Sequence, residues 1–412
     1  MNQSVTTGYQ APHKHAHPIV FLFLYLPFGV ISGFVTVTFA YLYSRAGISV
    51  EAIAALVAAS LLPQVFKFLW APLVDASFTL KKWYLVSGVV TAASILMMGI
   101  LPIKESSLPL LTIIVIGANV ASSFLGIAVN SLAAHDTPEH LKGRMSGYLQ
   151  AGNLGGEGVG GGAGLWLAEH SSIVQLPSVT LAVSCLLCCI GLFFVTEHPS
   201  TVQHEKVLKT LENLFTDIWK TLKSRLGIMA MILCFLPLGT GAVSGLWSAV
   251  ASDWKASADT VAFVTGTVSG FITAAGCILG GWICDRGNRQ IAYVVFGMMQ
   301  ALCAIGMALC PHTEVMYIFW TSLYAVTCGL CYAGFSAFVF EAIGKGAAGT
   351  KYTVYASLSN APIYYMTIVD GWGRAHEGAS GMLYIEAGCA AVGIVLFMGL
   401  LLYARAGKQV AV

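Results

Sequence analysis

Charge is what this chain has least of. Only 10% of its 412 residues are Asp, Glu, Lys or Arg, against roughly a quarter in an ordinary soluble domain. That shortage excludes a soluble globular fold, because too few polar side chains remain to cover the 57% that are apolar. A net charge of +2 offers no basic field for nucleic acid, and no such partner is expected. No G-x-x-x-x-G-K-[ST] stretch occurs, so transport driven by ATP hydrolysis in this chain is unsupported. Convergent catalytic clusters are lacking as well. His135 and Asp136 come nearest, but they sit in a loop pattern described below, which leaves a membrane-embedded enzyme or receptor as the weaker alternative. A cleavable signal peptide is not expected, since the first apolar stretch is too long for one and has no small-residue cleavage site. All eleven cysteines lie in apolar stretches, Cys185, Cys188 and Cys189 among them, and read as small buried hydrophobes. In HKHAH, His13, His15 and His17 would face one way only on an extended chain, so the segment reads as an ordinary terminus. No metal or other cofactor is expected.

What the chain does have is apolar runs of membrane-crossing length. A hydrocarbon layer of about 30 Å needs roughly 20 such residues per helix. Twelve stretches qualify, at about 18–43, 50–73, 82–101, 108–131, 144–168, 175–196, 226–251, 259–284, 290–310, 314–340, 349–370 and 379–404, numbered here as spans 1 to 12. The expected fold class is an all-α membrane protein with twelve transmembrane helices in two pseudo-symmetric six-helix bundles. The division is a tail at 1–17, bundles at 18–196 and 226–404, a linker at 197–225 and a second tail at 405–412. Leu208, Leu211, Phe215, Ile218 and Leu222 recur at helical spacing in the linker, which predicts an amphipathic helix along the membrane surface. If both termini are cytoplasmic, the cytoplasmic segments hold 17 of the 21 basic residues, leaving Arg45, Lys104, Lys255 and Arg374 outside. That bias sets the expected orientation, in a bacterial inner membrane, with a monomer as the expected state.

The halves echo each other. PLVDASFTLKKW after span 2 and GGWICDRGNRQ after span 8 each place an Asp at a helix end, Asp75 and Asp285, ahead of basic residues. HDTPEHLKGR after span 4 and FEAIGKGAAGTK after span 10 repeat the arrangement more loosely. Acid-then-base loops at matching places argue for a parallel duplication. Gly281, Asp285, Arg286 and Arg289 resemble the cytoplasmic signature of the major facilitator superfamily. VFKFLWAPLVD is similar to the corresponding loop of the branch holding the AmpG-like muropeptide permeases, the acetyl-CoA transporters and related siderophore permeases. TPEHLKGR, GLWLAEH and SLSNAPIYYMTIVDGW with the following HEG and Tyr384 also look like that branch. The resemblance covers essentially the whole chain and implies a secondary transporter that rocks two halves around a midplane site. Uptake coupled to protons is expected, with a drug or metabolite exporter of the same fold as the alternative.

Rare polar groups in the spans are the candidate site residues, because such groups facing lipid are costly. Gln150, Asn153 and Glu157 share one face of span 5, and Glu157 is the candidate proton site. Tyr25, Ser32 and Thr36 on span 1, Asn119, Ser123 and Asn130 on span 4, and Trp247 with Thr240 and Ser244 on span 7 are candidate substrate contacts. Tyr355, Asn360 and Tyr364, with Tyr365, would give span 11 an aromatic, hydrogen-bonding wall. Lys67, deep in span 2, either snorkels or pairs with an acid in a cytoplasmic gate alongside Asp75, Asp285, Arg286 and Arg289. Neutral polar and aromatic walls with few fixed charges suit a bulky, uncharged or weakly acidic organic solute. Span 4 carries Gly126 and Asn130, and span 5 Leu154 and Glu157, where the muropeptide permeases have acidic residues and an arginine. Muropeptide is therefore not the expected cargo. Acetyl-CoA fits poorly for want of cations, which leaves a siderophore-like or other aromatic solute by elimination.

Overall fold

The computed structural model describes residues 15–197, 207–344 and 348–409. His13 with the first fourteen residues, residues 198–206 of the linker and the end of the second tail fall outside the described residues. Among the described residues eight helices are long and apolar enough to cross a bilayer: Ile19–Tyr43, Leu80–Ile100, Glu105–Asp136, Leu176–Phe194, Asp259–Arg286, Arg289–Leu309, Glu314–Ile343 and Ala348–Leu402. The last contains spans 11 and 12, because Gly378 turns the chain with φ of 74°. A side chain there would be strained, whereas glycine adopts the left-handed region freely.

Spans 2, 5 and 7 are interrupted or polar rods. Span 2 runs as Val50–Phe66, tightens to a 3₁₀ turn at Lys67–Leu69 and resumes at Ala71–Ala76. Pro72 explains the break, since its ring excludes the helical position of the carbonyl four residues earlier and restricts the residue before it. Span 5 comprises Lys142–Gly158, a π-helical stretch at Val159–Ala163 and Gly164–His170. Span 7 departs from the continuous helix expected at 226–251. Arg225–Leu233 stops ahead of Pro237, Gly239 and Gly241 take φ of 67° and 68°, and short helical turns resume from Ala242 to Trp254. Irregular backbone at membrane depth is tolerated where it lines a cavity, and span 7 does so.

In the first bundle span 1 packs on spans 4 and 5, and span 4 on spans 2 and 3. In the second, span 10 packs on spans 8 and 9, and span 12 on span 9. Span 5 lies against spans 8 and 10 of the other bundle, and span 11 against span 4 and the end of span 2. Where spans 1 and 5 meet, a methyl group on Gly29 or Gly33 would overlap the carbonyl oxygens of Asn153 and Glu157. Glycine is thus what lets the two backbones touch, and that contact fixes the rotation of span 5. The linker helix Val207–Lys223 leaves Ile218 and Leu222 half-buried, while the side chains of Leu208, Leu211 and Phe215 lie outside the described residues. Asp217 from this helix meets the buried Lys351 ammonium at the start of span 11, at 2.6 Å.

Candidate functional site

Two carboxylates bolt the bundles together at one end. Asp285, at the last turn of span 8, accepts from the amides of Gly143 at 2.7 Å and Arg144 at 3.0 Å and from Arg144 Nε at 2.8 Å. Those amides are the unsatisfied donors at the start of span 5, so Asp285 caps a helix of the opposite bundle. Asp75, at the end of span 2, does the same for span 11. It accepts from the Thr350 amide and the Thr350 hydroxyl, each at 2.8 Å, and from Ser131 at 2.8 Å. Glycine precedes the capped amide in both places. A Cβ on Gly143 would stand 2.6 Å from Asp285 Oδ1, and one on Gly349 would stand 3.0 Å from Asp75 Oδ1. Around these caps Arg289 bonds Glu139 at 2.7 Å across the bundles, and Lys142 reaches the Phe340 carbonyl at 3.1 Å. Burial pushes the Glu139 carboxyl up, but the Lys142 and Arg289 cations outweigh it and hold Glu139 below the usual carboxylate range. Arg286 does not join this latch. Its guanidinium stacks 3.4 Å over the Trp282 ring on its own helix, where Arg is drawn by the ring face.

Beyond the latch lies a polar floor and then open space. Gln150 donates to Tyr352 at 2.9 Å, and Tyr352 and Ser336 share a bond of 2.8 Å, joining spans 5, 10 and 11. A cavity of about 300 Å³ follows, and Tyr25, Ser32, Asn119, Gln150, Asn153 and Asn360 are on its wall. A second cavity, of about 310 Å³, is bounded by Ser244, Trp247, Thr265 and Tyr324. Glu157, Leu154 and Tyr332 line both. Glu157 is thirteen residues from Arg144, or about 20 Å along the axis. Its carboxylate accepts from Ser32 of span 1 at 3.4 Å and stands immediately before the π-helical stretch, a distortion common at functional positions.

Lys67 is the main correction. It lies on the wall of the first cavity, with Nζ 5.5 Å from the Phe28 ring centroid, and among the described residues no acid pairs with it. Its place beyond the Pro72 break puts it about 12 Å past Asp75, too far along the rod to join the latch. Five other candidates stand off both cavities. Thr36 donates to the Ser32 carbonyl at 2.9 Å, and Ser123 accepts from Trp70 Nε1 at 2.8 Å. Asn130 donates to the Tyr25 hydroxyl at 3.4 Å from behind the wall. Tyr355 is buried and donates to the Gly227 carbonyl at 3.1 Å, holding span 11 to span 7. Tyr364 is 72% exposed and lines neither cavity, because one residue past Ile363 rotates it about 100° away from the wall. Sequence reasoning also missed wall residues: Gln64, Tyr293, Tyr332 and Phe335. Gln64, one turn from Lys67, carried a signal in its polarity; the aromatics carried none beyond apolar character.

Two helical bundles, joined at one end by cross-capping acids and enclosing polar cavities between them, have the architecture of a membrane carrier. The model of the Major Facilitator Superfamily matches residues 21–367. The anhydromuropeptide permease of Escherichia coli (strain K12) is 23% identical over 348 residues, spanning 81% of this chain and 70% of that protein. The Escherichia coli fucose:proton symporter FucP superposes with a TM-score of 0.70 at 13% identity, covering 93% of this chain and 98% of that one. The human organic anion transporter TETRAN also gives 0.70, at 14% identity, covering 94% and 100%. The chain belongs to the major facilitator superfamily, and it is an integral, multi-pass secondary transporter.

Proposed function

We propose that the protein is a proton-coupled importer of a hydroxyl-bearing organic solute with one anionic group, placed in a bacterial inner membrane with its latched end in the cytoplasm. The observation that carries this reading is Glu157, a membrane-depth carboxyl on the wall shared by both cavities. A carboxyl so placed exchanges its proton with the substrate path in whichever direction the path opens. Lys67 supplies the charge that an anionic group would meet, and Ser32, Asn119, Gln150 and Asn153 supply neutral hydrogen-bonding groups around it. Phe28, Tyr332 and Phe335 add apolar and aromatic surface. The excess of Lys and Arg at the latched end supports the orientation. The named cargoes of its relatives, an anhydromuropeptide, fucose and organic anions, are hydroxylated or anionic, which suits such a pocket.

The test is uptake into proteoliposomes under an imposed pH gradient, with a panel of sugar acids, muropeptides and aromatic acids. Wild type should accumulate one class only when the gradient is present. Glu157→Gln should abolish accumulation while leaving substrate counterflow intact. Accumulation by Glu157→Gln equal to wild type would remove Glu157 from the mechanism.

A further inference from the structure

A second pair of acids lies inside the C-terminal bundle, away from the latch and the wall just described. Asp370 of span 11 is 0% exposed and Glu386 of span 12 is 4% exposed. They stand eight residues before and after the turn at Gly378, about 12 Å down each helix, and so at one level of the antiparallel pair. At that level the two carboxyls are neighbours. Neither belongs to an ion pair among the described residues, and both Asp370 oxygens and Glu386 Oε2 are buried without a hydrogen-bond donor. Glu386 Oε1 accepts from the Tyr324 hydroxyl at 2.9 Å. Tyr324 in turn lines the second cavity and meets the Trp247 ring edge-on at 5.2 Å.

The other titratable groups around the pair are phenols and thiols. Span 10 presents Tyr324, Cys328 and Cys331, span 11 presents Tyr365, and span 12 presents Cys389. Span 9 contributes Cys303, apolar side chains and the uncharged amide of Gln300, which meets Cys331. Arg374, one turn beyond Asp370, is engaged with Asp253 of span 7 at 2.8 Å. Two carboxylates in contact without a cation cannot both be charged in an apolar interior, and a shared proton satisfies the otherwise orphaned oxygens.

We propose that Asp370 and Glu386 form a second proton-binding site, which exchanges one proton with the second cavity through the Tyr324 hydroxyl. In the transfer Tyr324 passes its proton to Glu386 Oε1 and takes a replacement on its oxygen from a hydronium ion in the cavity, which is left as water, so the phenol ends unchanged. Loss of the proton leaves two facing negative charges that push spans 11 and 12 apart at that level. The proposal rests on the proton-coupled reading for its use in transport, but the site itself can be tested without transport.

The experiment is infrared difference spectroscopy of the full-length protein in lipid, following protonated-carboxyl C=O bands through a pH titration. Because the two acids titrate as a unit, Asp370→Asn and Glu386→Gln should each displace the midpoint of the remaining carboxyl by more than about tenfold in proton concentration. Glu157→Gln should leave the pair's midpoints in place, and Tyr324→Phe should slow the deuterium shift of the band about tenfold or more. The exchanged pair, Asp370→Glu with Glu386→Asp, should restore the wild-type two-step titration, which guards against a single variant that fails to fold. Unmoved midpoints in both single variants would overturn the pair. A band insensitive to D₂O, or equally fast in Tyr324→Phe, would overturn the path. A titrating pair in a protein whose uptake ignores the pH gradient would retire the proton-coupled reading and leave the site standing.

Discussion

Replacing Asp285 by Asn should unfasten the latch without unfolding the helices it joins. The carboxylate receives two amide hydrogens and one guanidinium hydrogen from the opposite bundle. Asn keeps one acceptor oxygen, loses the charge, and turns an NH₂ toward a donor. Hydrogen bonds to a charged group contribute about 1.5–3 kcal/mol. The Arg144 side chain is 43% exposed, so its share falls to about 0–1 kcal/mol. Losing one charged amide bond and weakening the other then costs about 2 kcal/mol of preference for the closed end, or roughly a thirtyfold shift in the equilibrium. Spin labels on the exposed positions Phe78 and Gly287, one per bundle at the latched end, report the separation directly. Wild type should give one short distance, and Asp285→Asn a long, broadened population. Gly143→Ala should mimic it, since its Cβ would stand 2.6 Å from the carboxylate and 2.7 Å from the Gly281 carbonyl. If Asp285→Asn and Gly143→Ala both kept the wild-type distance distribution, cross-capping would not be what holds this end shut.

The matching perturbations at the other cap should act in the same direction: Asp75→Asn and Gly349→Ala would lengthen the label distance. Gly349→Ala should also lower the melting temperature in detergent through overpacking worth about 1–3 kcal/mol, because its methyl overlaps the Ser131 hydroxyl. Lys67→Met should raise the uptake KM for an anionic substrate about tenfold to a hundredfold and leave a neutral analogue unaffected, with Lys67→Arg recovering part of the loss. Glu139 sets a pH limit. Its pKa is depressed in the folded protein, so its contribution is complete above the unfolded value and is lost as pH falls through the folded one. The difference in label distance between wild type and Glu139→Gln should therefore persist at neutral pH and begin to shrink only below the ordinary Glu value of about 4.3. A difference that grew on acidification would reverse the assignment.

Composition and hydropathy were enough to mark apolar spans and their grouping, because crossing a bilayer constrains length more tightly than almost any other structural demand. Helix rotation was less legible. Gln150, Asn153 and Glu157 fall on one face by spacing alone, but only the contact of Gly29 and Gly33 with the span 5 backbone turns that face inward. On span 11 spacing put Asn360 and Tyr364 on one wall, but the helix breaks between Leu358 and Asn360, and of the two only Asn360 lines the cavity. For Lys67, spacing gave the depth, about 12 Å past Asp75, but could not show whether an acid of a neighbouring helix meets it, and among the described residues none does. Asp370 and Glu386 stayed hidden for another reason: sixteen residues and a reversal of chain direction separate them, and nothing local shows that they meet.

The cross-caps also bear on how a carrier can move at all. Flipping a two-state equilibrium from 1:99 to 99:1 takes about 5.5 kcal/mol of differential binding, so a closed end held much more firmly than that would never yield to a substrate. Asp75 and Asp285 together make five hydrogen bonds across the bundles, and every one has a water substitute once the end opens. At about 1.5–3 kcal/mol for each amide or hydroxyl bond to a carboxylate, and about 0–1 for the exposed Arg144 side chain, they sum to roughly 6–13 kcal/mol, so substrate and proton must act together to open this end. Apolar burial at the same place would be far less reversible, since opening would expose it to water with no compensating bond. Helix ends offer this compromise because their free amides need a partner in both states and accept either a carboxylate or water.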